Sequence, residues 1–399
     1  MSENKKLTPK IRFKGFTEDW EQRKLNQFSK YITSNKTVSD IVSDGIYDLY
    51  DANSIIGKIN KNVIKEEYIT IIKDGSGVGK VRRLPKNTLF IGTMGGILSM
   101  NSNIDFIYCN LLRTDFTKEI NGATIPHIYY SSYGNNEYYI PKIEEQNKIG
   151  MIFNNIDNLI TLHQRKYDKL VKIKSSLLEK MFPKNSSKIP EVRFKGFTED
   201  WEQRKFGEEL ETITDYVAAG SFADLAANVK YLSNPSYAQL VRTVDIKNNF
   251  TSKDNVYVDK NAFNYLWRVN LKDECIIMPN IGNCGEIYFL NQGKLKYKNN
   301  VLGPNAILVR SKKNDNKFLS FDFQTKEFQD RLKLIISPNG QTKFNKTELK
   351  TIDLIVPNKD EQLKIGKTFS QIDNLITLHQ RKLDKLQNIK KSLLDKMFV

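Results

Sequence analysis

The chain has 399 residues, 39% hydrophobic and 27% charged, enough for two or three packed domains at roughly 150 residues each, which excludes global disorder. Lys and Arg number 62 against 46 Asp and Glu, and the resulting charge of +16 suits a polyanionic partner. No apolar run approaches the ~20 residues of a membrane span, the opening MSENKKLTPKIRFKGF lacks the apolar core of a secretory signal, and three cysteines without a CxxC pair, beside three histidines, suit a reducing, cytoplasmic setting with little to hold zinc.

Residues 9–25 read PKIRFKGFTEDWEQRKL and return at 190–206 as PEVRFKGFTEDWEQRKF, with fourteen of seventeen positions identical. In this lead segment Thr17 and Thr198 are placed to cap a short helix, with Asp19/Glu21 and Asp200/Glu202 in its first turn. Trp20 and Trp201 would anchor that element on the long helix or the following domain, or offer a docking point to another protein.

The region that follows, 26–143, has short β-rich runs at 68–75 and 87–95 between Gly- and Asn-rich turns. Gly75-Ser76-Gly77-Val78-Gly79-Lys80 has the look of a phosphate-binding loop. Only three residues separate Gly75 from the Gly-Lys pair, however, and Val81 stands where a hydroxyl should meet magnesium. It reads instead as a glycine-rich turn between strands, or as a loop whose N–H groups and Lys80 approach a nucleic-acid phosphate.

From 144 to 182 the apolar positions Ile149, Ile152, Ile156, Leu159, His163, Tyr167, Leu170, Ile173, Leu177 and Met181 fall at spacings of three and four, which predicts an amphipathic helix. The segment returns at 360–398 with twenty-eight of thirty-nine positions identical. Full helicity gives ~58 Å at 1.5 Å per residue. A helix of that length needs a partner, and the simplest is its own copy, set antiparallel as a coiled-coil-like pair. Gly150 and Gly366 mark a break near each start. Ile156, Leu159 and His163, with their copies Ile372, Leu375 and His379, lie on the apolar stripe; the histidines read as seam residues because no nucleophile or orienting group accompanies them.

Residues 183–189 form a linker between Pro183 and Pro190. The second variable region, 207–359, has strand-like runs at 255–260, 274–282 and 305–311. Segment 318–336 predicts a helix passing into a strand, with only a faint counterpart at 106–120. Asn234-Pro235-Ser236-Tyr237 lacks the second proline of an amino-methyltransferase tetrad and reads as a turn. Cys275 and Cys284 read as core cysteines. The variable regions are largely unlike, but Asn121-Gly122-Ala123-Thr124 is echoed by Asn339-Gly340-Gln341-Thr342. An internal duplication with fixed ends and divergent middles should give two α+β domains on a pseudo-two-fold frame, each recognising something different.

Two unlike regions bracketed by WEQRKL/WEQRKF, by EQxKIG at 145–150 and 361–366, and by IDNLITLHQRK in both copies resemble the specificity subunit of type I restriction–modification enzymes over nearly the whole chain. The resemblance implies two α/β target recognition domains, 1–143 and 190–359, separated by long antiparallel spacer helices at 144–182 and 360–399. It implies a non-catalytic subunit that reads a bipartite double-stranded DNA target with a fixed gap. It also implies two modification (methyltransferase) subunits, which carry S-adenosylmethionine, and two restriction subunits, which use ATP and magnesium. Trp20, Trp201, Ile156, Leu159, His163, Ile372, Leu375 and His379 are the candidates for partner contacts. Side-chain chemistry nominates the DNA contacts. In the first domain these are Lys73, Ser76, Lys80, Arg82, Arg83, Thr124 and Tyr129; Arg82–Arg83 reads equally as a solvated turn. In the second they are Tyr237, Arg242, Asn280, Asn283, Arg310, Lys312, Gln341, Thr342 and Lys343. A self-sufficient methyltransferase or nuclease and a purely structural assembly protein are the competing classes.

Overall fold

The computed structural model describes residues 7–61, 63–122, 124–184, 187–337 and 342–399, and divides the chain into two units, 1–165 with 379–399 and 166–378. In the first unit β1 (Glu21–Lys24) closes on β9 (Glu137–Ile140) as an antiparallel ribbon. A four-stranded antiparallel sheet runs in the order β2 (Ser29–Thr33), β8 (Met94–Ser99), β5 (Tyr68–Ile72), β6 (Val81–Leu84), and a three-stranded sheet in the order β4 (Ile55–Ile59), β3 (Tyr47–Tyr50), β7 (Leu89–Phe90), with β3 and β7 parallel. All five residues of β5 are buried. Ile69 and Ile71 face the core shared with helix Ile104–Arg113, and Tyr68 and Ile72 face the three-stranded sheet. Strand alternation thus puts one apolar run into two cores.

The second unit repeats this plan with unlike residues. Strand β10 (Glu202–Lys205) pairs with β18 (Asp353–Val356). The four-stranded order is β11 (Thr212–Asp215), β17 (Ala306–Arg310), β14 (Cys275–Pro279), β15 (Tyr288–Leu290); the three-stranded order is β13 (Val256–Val258), β12 (Ala238–Val241), β16 (Asn300–Leu302), again with one parallel pair. Cys275 is fully buried in β14, and burial pushes its thiol up to about 11. The extra length of this unit lies in its connections, which hold short helices such as Phe222–Asn228 and Lys260–Tyr265.

Two long helices, Ile143–Lys180 and Lys359–Lys396, agree with the predicted spans to within three residues. The division between units falls inside both. In the first unit their segments run antiparallel, with Asp157 against Lys390 at 2.6 Å and His163 Nδ1 2.9 Å from His379 Nδ1. In the second, Lys174 meets Asp373 at 2.7 Å and Phe182 packs on Phe369 with ring centroids 5.9 Å apart.

Four expectations are corrected. Neither helix breaks at its glycine: a Cβ at Gly150 would collide with the Asn103 side chain, and one at Gly366 with that of Asp315. Those two residues cap the next helix by accepting from Phe106 N and Phe318 N, so glycine is there for close packing. Gly150→Ala should therefore lower unfolding free energy by about 2 kcal/mol, as overpacking does, read from urea denaturation. No helix follows Thr17 or Thr198; the chain runs extended into β1 and β10. Segment 318–336 contains helices Asn316–Asp322 and Lys326–Ile335 and no strand, because Thr325 caps a new helix by accepting from Phe328 N. Its counterpart in the first unit is a well-formed helix, Ile104–Arg113.

The tryptophans are interior residues. Trp20 is 2% exposed and meets Phe106 and Phe398 edge-on at 5.8 and 6.2 Å; Trp201, 0% exposed, meets Phe318 and Phe182 at 5.7 and 6.0 Å. Each lead segment also fastens the end of a long helix, with Ile11 N donating to Lys396 O and Val192 N to Lys180 O. Core anchoring, not partner docking, is the work of both indoles.

Candidate nucleic-acid interface

In the first unit the β5–β6 connection turns through Gly75 and Gly79, both at positive φ, a conformation that favours glycine. It leads from strand to strand, which is the turn that its sequence predicts. The chain returning toward β9 lies against it: Gly75 N donates to Pro126 O at 3.0 Å and Ile128 N to Lys73 O at 2.9 Å. Asn121 and His127 exchange backbone hydrogen bonds at 2.8 Å each, which folds the Asn-Gly turn back beside the loop. Lys73, Ser76, Lys80, Thr124 and Tyr129 all sit at this junction. Ser76, Lys80, Thr124 and Tyr129 are exposed, Tyr129 by 55%.

The second unit builds the same junction from other residues. Gly282, at positive φ, donates to Thr342 O at 2.9 Å, and Phe344 N donates to Asn280 O at 3.1 Å. Thr342 Oγ1 returns a bond to Gly282 O at 2.7 Å, and Asn280 Nδ2 donates to Phe344 O at 3.2 Å. Exposed Asn283 and Lys343 flank these contacts. Gln341 lies outside the described residues. Thus Lys73 corresponds to Asn280, Gly75 to Gly282 and Pro126 to Thr342: one backbone scaffold, different side chains. Such a scaffold offers polar groups for base edges and cations for phosphates without changing the fold beneath them.

The remaining nominated residues are elsewhere, and several are committed. Arg83 is on β6, bound to Asp105 and, at 2.5 Å, to Glu67; burial pushes the Asp105 carboxyl up, against the pull of Arg83. Arg82 lies over the Tyr50 ring at 4.9 Å. Arg242, at the start of the helix Thr243–Lys247, pairs its guanidinium with Asp245 at 2.7 Å, and Arg310 donates to the carbonyls of Glu274 and Asn270 at 3.1 Å each. These arginines hold the domains together. Tyr237 packs on Phe263 at 5.3 Å, and Lys312 follows β17 with its N–H on Glu211.

Sequence reasoning missed His127, whose Nδ1 is 3.5 Å from Asp74 and whose ring is 6.0 Å from that of Tyr129. It also took Cys284 for a core cysteine, whereas Cys284 is only half-buried beside this turn, where its thiol donates to Thr342 O and is pushed up by burial. Proximity to the Asn-Gly-x-Thr echo was the available signal for both. Of the residues on the helical stripe, Ile156 is buried, Ile372 is half-buried, and Leu159 and Leu375 are each 45% exposed. Among the described residues no group of three or more His, Cys, Asp or Glu could hold a metal ion, and no helix is long and apolar enough to cross a membrane.

Comparison with known proteins gives a consistent answer. The sequence model of the type I restriction modification DNA specificity domain matches residues 17–172 and again 198–388. The type I restriction enzyme MjaVIII specificity subunit of Methanocaldococcus jannaschii is 24% identical over 410 residues, spanning 95% of this chain and 92% of its own. The crystal structure of the S subunit of a type I restriction–modification system from M. genitalium superposes with a TM-score of 0.63 at 18% identity, over 98% of this chain and 99% of that one.

Proposed function

Because the chain belongs to the family of type I restriction–modification DNA specificity subunits, we propose that it reads an asymmetric split DNA target, one half-site per unit. The observation that carries this reading is the repeated loop junction, with the same strand order and the same backbone clasp but different side chains in the two units. A shared scaffold fixes how each domain meets a duplex, and its diverged side chains let the half-sites differ. The chain then acts without chemistry of its own, in the cytoplasm. It places two modification subunits, which bring S-adenosylmethionine, and two restriction subunits, which bring ATP and magnesium. The identical run IDNLITLHQRK supports a partner bound twice. It leaves Leu159 and Leu162 half-exposed in one unit and Leu375 and Leu378 in the other.

Base-resolution methylome mapping of cells carrying the chain with its modification subunit tests the proposal. The expected result is one bipartite methylated motif with a fixed gap and unlike halves. A continuous motif, or no sequence dependence, would overturn it. At the level of residues, Lys80→Ala and Lys343→Ala should each weaken binding of the assembled complex by about 1 kcal/mol, and should lower the salt slope by about 1 if each contacts a phosphate. Titrations at several salt concentrations read both quantities.

A further inference from the structure

The two loop junctions share a register as well as a backbone. In the first, the bonds from Gly75 N to Pro126 O and from Ile128 N to Lys73 O flank Asp74 and His127. In the second, those from Gly282 N to Thr342 O and from Phe344 N to Asn280 O flank Ile281 and Lys343. Each is a directly opposed antiparallel pair lying between hydrogen bonds, the position at which facing side chains come closest. The duplication has kept one cross-strand pair at the same place in both units and changed its chemistry. The first unit sets a carboxylate beside an imidazole; the second sets a branched alkyl group beside an ammonium.

Asp74 and His127 are both half-buried. His127 Nδ1 lies 3.5 Å from Asp74 Oδ1, and Lys73 Nζ lies 3.8 Å from Oδ2. The Nε2 edge of His127 closes on Gly122, where a Cβ would stand 3.0 Å from it, and the Tyr129 ring is 6.0 Å from the imidazole. Imidazole and ammonium hold the carboxylate by charge. Both contacts are longer than a good hydrogen bond, however, and among the described residues no donor bonds to it. An oriented acceptor is thus left open beside the exposed Ser76, Lys80 and Tyr129.

An ionised carboxylate accepts and does not donate, and it repels phosphate. On a surface that meets DNA, its use is a base edge. In the major groove its match is cytosine, whose N4 amino group donates. Adenine sets its N6 donor beside the N7 acceptor, which a carboxylate repels, and guanine and thymine offer it no donor there. We propose that Asp74 is a specificity-determining residue that reads a cytosine N4 amino group in the half-site of the first unit, held in place by His127 and Lys73. The second half-site, faced by Ile281 and Lys343, lacks this reader. The inference rests on the reading of one half-site per unit.

The test uses the full chain assembled with the modification subunit of its own system. Methylome mapping locates the split motif for the parent chain and for Asp74→Asn, a change of the same shape that adds a donor. An amide takes adenine through N6 and N7. One position in one half-site should therefore cease to require cytosine and accept adenine, with the other half-site and the gap unchanged. A second measurement begins on the parent complex. N4-methylcytosine replaces each cytosine of the target duplex in turn, which puts a methyl group where the amino N–H faced the major groove. Binding should weaken about ten-fold or more at one such position, the size of a single mismatched base pair. Asp74→Ala, checked for folding by urea denaturation, should lose nothing further at that position, as a double-mutant cycle requires. Parent affinity indifferent to every N4-methyl group would overturn the proposal without any variant. So would a motif unchanged by Asp74→Asn, or Asp74→Ala losing as much as the parent; the split motif itself would stand in all three cases. A parent complex that methylates no split motif would instead remove the functional reading, and this proposal with it.

Discussion

Arg12→Ala costs the chain about 3–5 kcal/mol of unfolding free energy, the range for removing one partner of a buried ion pair. Glu145, its bidentate partner, has a side chain only 1% exposed. Without the guanidinium that carboxylate stays buried with its charge uncompensated. The pair joins the lead segment to the first turn of a long helix, and the hydrogen bond to Glu145 raises the Arg12 guanidinium above its ordinary value. Arg193→Ala should behave alike, since Glu361 is 0% exposed. Two companions isolate the cause. Replacing Arg12 and Glu145 together by apolar residues of similar volume should recover most of the loss, because no charge is left stranded. Arg204→Ala, which removes an exposed pair with Glu202 (48% and 67% exposed), should cost under about 1 kcal/mol. Urea denaturation of all four variants measures these differences; an Arg12→Ala cost as small as that of Arg204→Ala would mean that water reaches Glu145.

The long helices were legible from sequence because their apolar period is strong and occurs twice; their ends agree with the structure to within three residues. Strands β5, β14 and β17 were legible as short continuous apolar runs, a pattern produced by burial on both faces. Hidden from sequence was the identity of topology between the two variable regions. Strand order depends on pairings between distant segments, such as β12 with β16, whose residues carry no mark of their partner. The junction loops were visible through glycine and asparagine, which allow positive φ. The intradomain bonds of the arginines were hidden for a related reason. Arg83 lies 22 residues from Asp105, and Arg310 spends its guanidinium on backbone carbonyls, so composition alone could not separate a DNA-facing cation from a structural one. The glycines of the long helices misled too, since what they make room for is the cap of a helix elsewhere in the chain.

Inserting one heptad into each long helix, between Arg165 and Lys166 and between Leu378 and His379, should reduce methylation at the original target by a hundredfold or more. It should also create a new target with both half-sites unchanged and the gap longer. Seven residues preserve the apolar seam between paired helices, whereas three or four would rotate it. At 1.5 Å per residue they lengthen each helix by ~10 Å, close to three base-pair steps of 3.4 Å. Neither partner absorbs that mismatch readily. Bending a site to close it costs on the order of 1–6 kcal/mol, and leaving a half-site unread forfeits ~1–3 kcal/mol for each base pair no longer matched. Half-site identity should not change, because the side chains at the loop junctions belong to the β5–β6 and β14–β15 connections and not to the helices. Methylome mapping of cells carrying the lengthened chain reads gap and half-sites together. Methylation that persisted at the old spacing would mean that the helices do not set the distance, even with the two recognition domains intact.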